Sequence, residues 1–167
     1  MAQTAVAAIA AERSTVLTQA VAETAKHLGL GSTDLAPIIG ISQSSASRLL
    51  KGKFIIKEGT PEWQLSALLV RLYRGVFSIV GNSNELAQEW LTSRNQAFGD
   101  RAPLVEIKTI IGLVFACDYV DSCLAPDAMI DQMIKATARA ESALDKALAE
   151  VEASEQRIKI MEAAAKP

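Results

Sequence analysis

The chain of 167 residues has two cysteines and a single histidine. Cys117 and Cys123 lie six residues apart on a helical-looking stretch, and six steps of about 100° put them on different faces, so they do not pair. There is no CxxC, and His27 stands alone near a helix end, where it is expected to be structural. Neither a zinc site nor a Cys/His nucleophile has enough ligands, and the reducing cytoplasm is the expected compartment. Five prolines, nine glycines and 5% aromatics weigh against collagenous and β-rich chains. A net charge of -2 rules out a uniformly basic nucleic-acid coat. The longest apolar run, Leu65 to Val80, is broken by Arg71 and Arg74, so no membrane span is expected. The start, Met-Ala-Gln, has no early Lys or Arg and no strongly apolar run, so no signal peptide is expected either. Gly29, Gly31 and Gly40 do not match a nucleotide-binding pattern. Asp118 and Asp121 have no His or Lys beside them and read as the polar side of a helix. These absences point to a protein that is not an enzyme and needs no cofactor.

What is abundant is alanine, with 28 residues, in a chain that is 50% hydrophobic and 22% charged. Alanine is the best helix former, so the expected fold class is all-α. Charge is uneven along the chain. Residues 1–60 hold six Lys/Arg against four Asp/Glu, residues 61–125 five against seven, and residues 126–167 six against eight. Within the one positive third, Arg48, Lys51, Lys53 and Lys57 fall in ten residues without an acid. Such a cluster is either a solvated helix end or a phosphate-binding patch.

The residues around it favour the second. Ser32 is a plausible N-cap for a short helix from Thr33, Gly40-Ile41-Ser42 interrupts, and Ser42 caps a second helix from Gln43 to about Lys51. Leu35, Ile39, Ile41 and Leu49 supply apolar contacts, Ala36 and Ala46 are small where the helices cross, and Gly40 sits at the bend. This is a helix-turn-helix pattern. Gln43, Ser44, Ser47 and Arg48 face away from the stripe of Ala46, Leu49 and Leu50, and Gln and Arg can read adenine and guanine in bidentate fashion. Lys51 and Lys53, with Lys57, are placed to contact phosphates. Pro37 falls inside the first helix, which must be kinked or short.

Upstream, residues 4–28 read as a support helix with Val6, Ile9, Val16, Leu17, Val21 and Leu28 as its apolar residues. Downstream, Thr60 and Pro61 open a helix whose apolar residues from Trp63 to Val80, Phe77 included, lie on nearly every side, so full burial is expected. Asn82 and Glu85 have capping-box spacing for the next helix. Residues 94–102 read as a loop, Pro103 begins a short helix through Ile107, and Thr109 to Leu124 is another apolar helix.

The stretch from Arg71 to Gly81, followed by Glu85-Leu86-Ala87, Trp90-Leu91, Asn95 to Gly99, Arg101 to Leu104 and Thr109 to Gly112, resembles the toxin-binding domain of Xre/ParS/MbcA-type antitoxins. A helix-turn-helix lies just upstream, as in that family. The resemblance implies the antitoxin of a type II toxin-antitoxin pair whose toxin has a RES domain that consumes NAD or transfers ADP-ribose. Its partners are then that toxin and operator DNA, bound as a homodimer within a hetero-oligomer. Asn95, Phe98, Arg101 and Pro103 become the toxin-binding candidates, with Phe98 an apolar anchor and Arg101 a rim or pocket contact. Phe98 and Ala102 depart from the smaller aliphatic and the second Arg expected there. The tail is also longer than the family's short extension. From Ile130 through Leu144 to Met161 it repeats apolar and small residues at spacings of three and four, an amphipathic helix fit to pair with its own chain, a second antitoxin or the toxin. The expected division is a DNA-binding domain at 1–60, a toxin-binding domain at 61–125 and a helical tail at 126–167. A free-standing repressor and a structural adaptor remain as alternative functions.

Overall fold

A computed structural model describes the backbone of residues 2–164, with the side chains of residues 8–124 and part of 134–150. It is all-α among the described residues, apart from one isolated bridge between Asn95 and Arg101. The helices are α1 (Ala2–His27), α2 (Ser32–Ile39), α3 (Gln43–Leu50), α4 (Pro61–Ile79), α5 (Asn84–Thr92), α6 (Pro103–Glu106) and α7 (Ile110–Ala164), with a 3-10 turn at Gln96–Phe98. Two compact units result, Met1–Leu124 and Ala125–Pro167.

Helix boundaries follow local chemistry. Gly40 ends α2 in the left-handed region (φ 74), its N–H bonded to the Ala36 carbonyl. Ser42 opens α3 by accepting from the Ser45 N–H, and Thr60 opens α4 by accepting from the Trp63 N–H with Pro61 next to it. Thr109 Oγ1 accepts from the Gly112 N–H at the start of α7. Two expected caps are displaced by one residue. Ser32 is the first residue of α2, and Gly31 holds the cap position without a side-chain bond. Ser83 rather than Asn82 caps α5, because Asn82 is spent on the preceding turn at φ 63, a conformation asparagine tolerates. Pro37 lies inside α2, and the helix is only eight residues long.

One hydrophobic core runs from Val21 on α1 through Leu35 and Leu49 to Leu69, Leu91, Leu113 and Val120. Helix α4 is its shared wall, packing on α1 and α2 on one side and α5 on the other. It is not buried all round. Leu65, Ser66, Leu69, Leu72, Gly75 and Val76 form the buried face, Arg71 and Arg74 are exposed, and Phe77 is half-buried and outside the core cluster. On α1, Ile9 (56%) and Val16 (60%) are exposed rather than packed. The buried face of α1 instead carries Ser14 and Thr18, whose hydroxyls accept from the backbone N–H groups of Glu58 (3.1 Å) and Ile56 (3.0 Å). Those hydroxyls dock the extended segment after α3, satisfying donors that no sheet partner satisfies. Arg13 closes the same seam on Glu58 at 2.6 Å.

The second half is held by close approach. A Cβ on Gly75 would stand 2.5 Å from Val120 Cγ1, so α4 and α7 cross with nothing between them. A Cβ on Gly112 would stand 2.0 Å from the Glu106 carbonyl oxygen, which makes the α6–α7 corner equally tight. Arg71 pairs with Asp121 across α4 and α7. The apolar helix expected to Leu124 and the helical tail expected from 126 are one element, since α7 is continuous through Pro126. One missing N–H is a small fraction of the bonds in a helix of 55 residues rich in good helix formers. In the second unit Thr137, Leu144 and Ala147 are exposed. The side chains at the other seam positions of the tail repeat, Ile130, Met133, Ala140, Val151, Ser154, Ile158 and Met161, lie outside the described ones, as does that of Val6.

Candidate functional site

Two surfaces of the first unit carry chemistry. The first is the outer face of α3. Gln43, Ser44 and Arg48 are exposed there and Ser47 is half-buried, while Ala46 and Leu49 anchor the opposite side. Leu50, expected in the apolar stripe, is 36% exposed, because it comes one position after the last buried contact. The face is organised before any ligand arrives. Gln43 Nε2 donates to Thr33 Oγ1 (3.1 Å), tying α3 to the start of α2, and Arg48 Nη2 donates to Ser45 Oγ (3.3 Å). The Arg48 guanidinium also stands 5.5 Å from the Phe54 ring centroid, a cation-π contact that holds its stem in place. After α3, Gly52 (φ 67) donates to the Leu49 carbonyl and the Lys53 N–H to the Arg48 carbonyl. This closure sets exposed Lys51 and Lys53 at the end of the outer face of α3. The sequence reading assembled these six residues but missed Thr33 and Phe54, which position two of them. Thr33 carried a local signal, since it sits in the first turn of the preceding helix.

The second surface lies where α6 meets α7. Its loop folds back on itself: Asn95 Oδ1 accepts from the Ala97 N–H (2.9 Å), and the Asn95 N–H donates to the Arg101 carbonyl (3.2 Å). The fold-back drives Phe98 inward to 4% exposure, edge-on to Trp90, Phe115 and Tyr119 with ring centroids 5.8, 5.3 and 5.5 Å away. Phe98 is therefore not an exposed anchor, because its ring is committed to this aromatic cluster. Pro103 is buried at the start of α6, and the half-buried Asn95 is engaged in its own turn. Of the four toxin-binding candidates only Arg101 is exposed, and it pairs with Glu106 at 3.0 Å.

What the loop leaves open is apolar. Val105 (53% exposed), Ile110 (64%), Ile111 (84%), Val114 (40%) and Phe115 (46%) lie on α6 and the first two turns of α7. The opposite side of that helix, Leu113, Ala116, Cys117 and Val120, is buried. The sequence signal was an α7 start apolar on two faces, of which one core can cover only one. Lys108, beside this surface, reaches Asp34 of α2 at 2.7 Å and joins it to the helix-turn-helix. At the junction of α1, α4 and α5, the Tyr73 hydroxyl donates to Asn84 Oδ1 (2.8 Å) and lies 2.8 Å from His27 Nδ1. Burial raises the Tyr73 phenol above its ordinary range. Among the described residues no group of three or more His, Cys, Asp or Glu could hold a metal ion, and no helix is long and apolar enough to cross a membrane.

Comparison with known proteins agrees with this geometry. Residues 7–74 match the antitoxin Xre-like helix-turn-helix domain, which covers α1 to most of α4. Residues 76–124 match the antitoxin Xre/MbcA/ParS C-terminal toxin-binding domain, which contains the aromatic cluster and the apolar face. No curated protein matches the chain significantly. The two matches follow each other with one residue between them and together take in nearly the whole first unit, so the chain belongs to the Xre/MbcA/ParS antitoxin family, as a type II antitoxin with a helix-turn-helix and a toxin-binding domain.

Proposed function

We propose that this antitoxin silences a RES-domain toxin, an enzyme that consumes NAD or transfers ADP-ribose, and represses its own operon as a dimer on a two-half-site operator. The observation that carries the reading is the joining of two unlike surfaces in one compact unit: a polar, basic face on α3, and a toxin-binding segment built around an apolar face. On the first, Gln43, Ser44, Ser47 and Arg48 read bases while Lys51 and Lys53 hold phosphates. Within the second, Arg101 is a rim contact, and Asn95 and Pro103 shape the loop. Residues 1–60 supply the DNA-reading part, residues 61–125 the toxin-binding part and residues 126–167 a helical extension.

The RES assignment is supported by charge. A pocket for a dinucleotide must accept a negative pyrophosphate and is therefore lined with positive groups. Residues 61–167 hold eleven Lys/Arg against fifteen Asp/Glu, a balance that complements such a surface. The test uses the full chain and the product of the neighbouring toxin reading frame. Joint production should give a stable complex, and the purified antitoxin should stop NAD consumption by the toxin while also shifting a fragment of its own promoter. A neighbouring toxin whose NAD consumption continues at full rate in saturating antitoxin would overturn the reading.

A further inference from the structure

We infer that the apolar face of Val105, Ile110, Ile111, Val114 and Phe115 seats the toxin, as a patch that is apolar at its centre and charged at its edge. The inference deepens the toxin-binding reading above and rests on it. Its first ground is that this exposure is built in. Thr109 and Gly112 fix the first turn of α7, and the Gly112 contact with the Glu106 carbonyl leaves the corner no room to rotate. Ile110 and Ile111 are therefore held outward, and the Phe115 ring is braced edge-on by buried Phe98 at 5.3 Å. Water gains nothing from meeting four branched side chains and an aromatic ring on one rigid corner, and contiguous exposed patches of this kind mark interaction sites.

The second ground is anatomy. Glu106, which directly follows exposed Val105 on α6, carries the Arg101 ion pair at 3.0 Å. One helical turn beyond Val114 and two beyond Ile111, exposed Asp118 ends the apolar face. An apolar centre of branched and aromatic residues inside a charged rim is how the energetic core of a protein interface is arranged. The occupant is set by position, because the whole patch falls inside the segment that matches the toxin-binding domain and none of it inside the helix-turn-helix match. The loop that the sequence singled out acts indirectly, by packing Phe98 under Phe115.

The experiment captures the full-length antitoxin with a tagged product of the neighbouring toxin reading frame. It compares wild type with Ile111→Asp, Phe115→Ser and the control Val16→Ser, an equally exposed apolar position on α1. Ile111 is 84% exposed, so its replacement leaves the core intact, and promoter binding and the melting temperature report that each variant folds. The expected result is a loss of toxin affinity of tenfold or more for Ile111→Asp and Phe115→Ser, with unchanged promoter binding, and no loss for Val16→Ser. Wild-type affinity in both patch variants overturns the inference while leaving the antitoxin reading standing. So does a loss of self-association in gel filtration with toxin affinity intact, which would assign the patch to a second copy. If wild type itself captures no toxin, the toxin-binding reading fails and the inference falls with it.

Discussion

The outer face of α3 and the first turns of α7 solve opposite problems on one core. The α3 face is short, polar and tied to itself, with Gln43 on Thr33 and Arg48 between Ser45 and Phe54. Such a surface is content in water, and the DNA binding proposed for it would come from phosphate attraction and from hydrogen bonds to base edges. The α7 face is branched and aromatic and is held outward by packing beneath it. The toxin binding proposed for it would come from removing apolar area from water. Salt should therefore weaken the first and leave the second nearly untouched. The contrast also teaches how the two roles can be separated. Leu65, Leu69 and Leu72 of α4 belong to the same core as Leu35 and Leu49, so a cut at residue 60 would strip a buried face. Only point substitutions on the two surfaces can divide DNA binding from toxin binding.

The largest effect should come from the shared wall. Leu69 is fully buried on α4, and Leu69→Ala should cost about 2–5 kcal/mol, lowering the melting temperature and weakening both activities together. Phe77, half-buried beside Tyr73 and outside the core cluster, should cost clearly less when truncated. Loss of one activity alone in Leu69→Ala would break the picture of a single core. Next comes a substitution aimed at the second half. Gly75→Ala pushes a methyl into Val120 and should cost roughly 1–3 kcal/mol in thermal unfolding. Pairing it with Val120→Ala should return part of that loss, since the two volumes compete for one space, and strict additivity of the two variants would disprove the contact.

On the DNA face, Arg48→Ala should cost roughly 1–3 kcal/mol of operator binding and relax preference at one base pair. Lys53→Ala should instead weaken all sequences alike and flatten the salt dependence by about one counterion. Both are read by titrating labelled promoter at several salt concentrations, and neither should alter capture of the toxin. An Arg48→Ala variant with wild-type selectivity would remove α3 from base reading and leave it a phosphate contact only.

How much of this was legible depends on how far each residue's partner lies along the chain. The helix-turn-helix could be read because Ala36, Gly40, Ser42, Ala46 and Leu49 specify it within fourteen positions, each through a cap, a bend or a crossing. The start of α4 was equally local, in Thr60 and Pro61. Ser14 and Thr18 could not be read, since they look like interruptions of an apolar stripe until the N–H groups of Glu58 and Ile56 arrive from 44 and 38 positions away. Phe98 misled for a related reason. An aromatic in a polar loop suggests an exposed anchor, but the Asn95–Arg101 bridge turns it inward, and the ring that the loop leaves partly exposed is Phe115. Two adjacent cap-type residues, Asn82 and Ser83, gave the right helix with the wrong cap because Asn82, at positive φ, is taken up in closing α4, its N–H donating to the Phe77 carbonyl.

The smallest effect, and the sharpest check on which way α7 faces, uses the two thiols. Cys117 shares the buried side with Leu113 and Val120 at 2% exposure, and its Sγ donates to the Leu68 carbonyl at 3.5 Å. Burial pushes its thiol up to about 11 from 9.0, whereas Cys123 is exposed. The thiolate is the reactive form, so at pH 8 a disulfide-exchange reagent should modify one thiol per folded chain rapidly and two after denaturation. In Cys123→Ser the fast phase should vanish, and Cys117 should then react only as fast as α7 opens. Because the raised value favours the neutral thiol in the folded state, the Cys117 contribution to stability is intact below pH 9.0 and declines as pH rises toward about 11. A Cys117→Ala variant should show a shallower loss of stability over that window. A second fast thiol in the wild-type chain would mean that α7 is rotated, with the buried and apolar exposed faces exchanged, and the contrast between the two surfaces would then have to be redrawn.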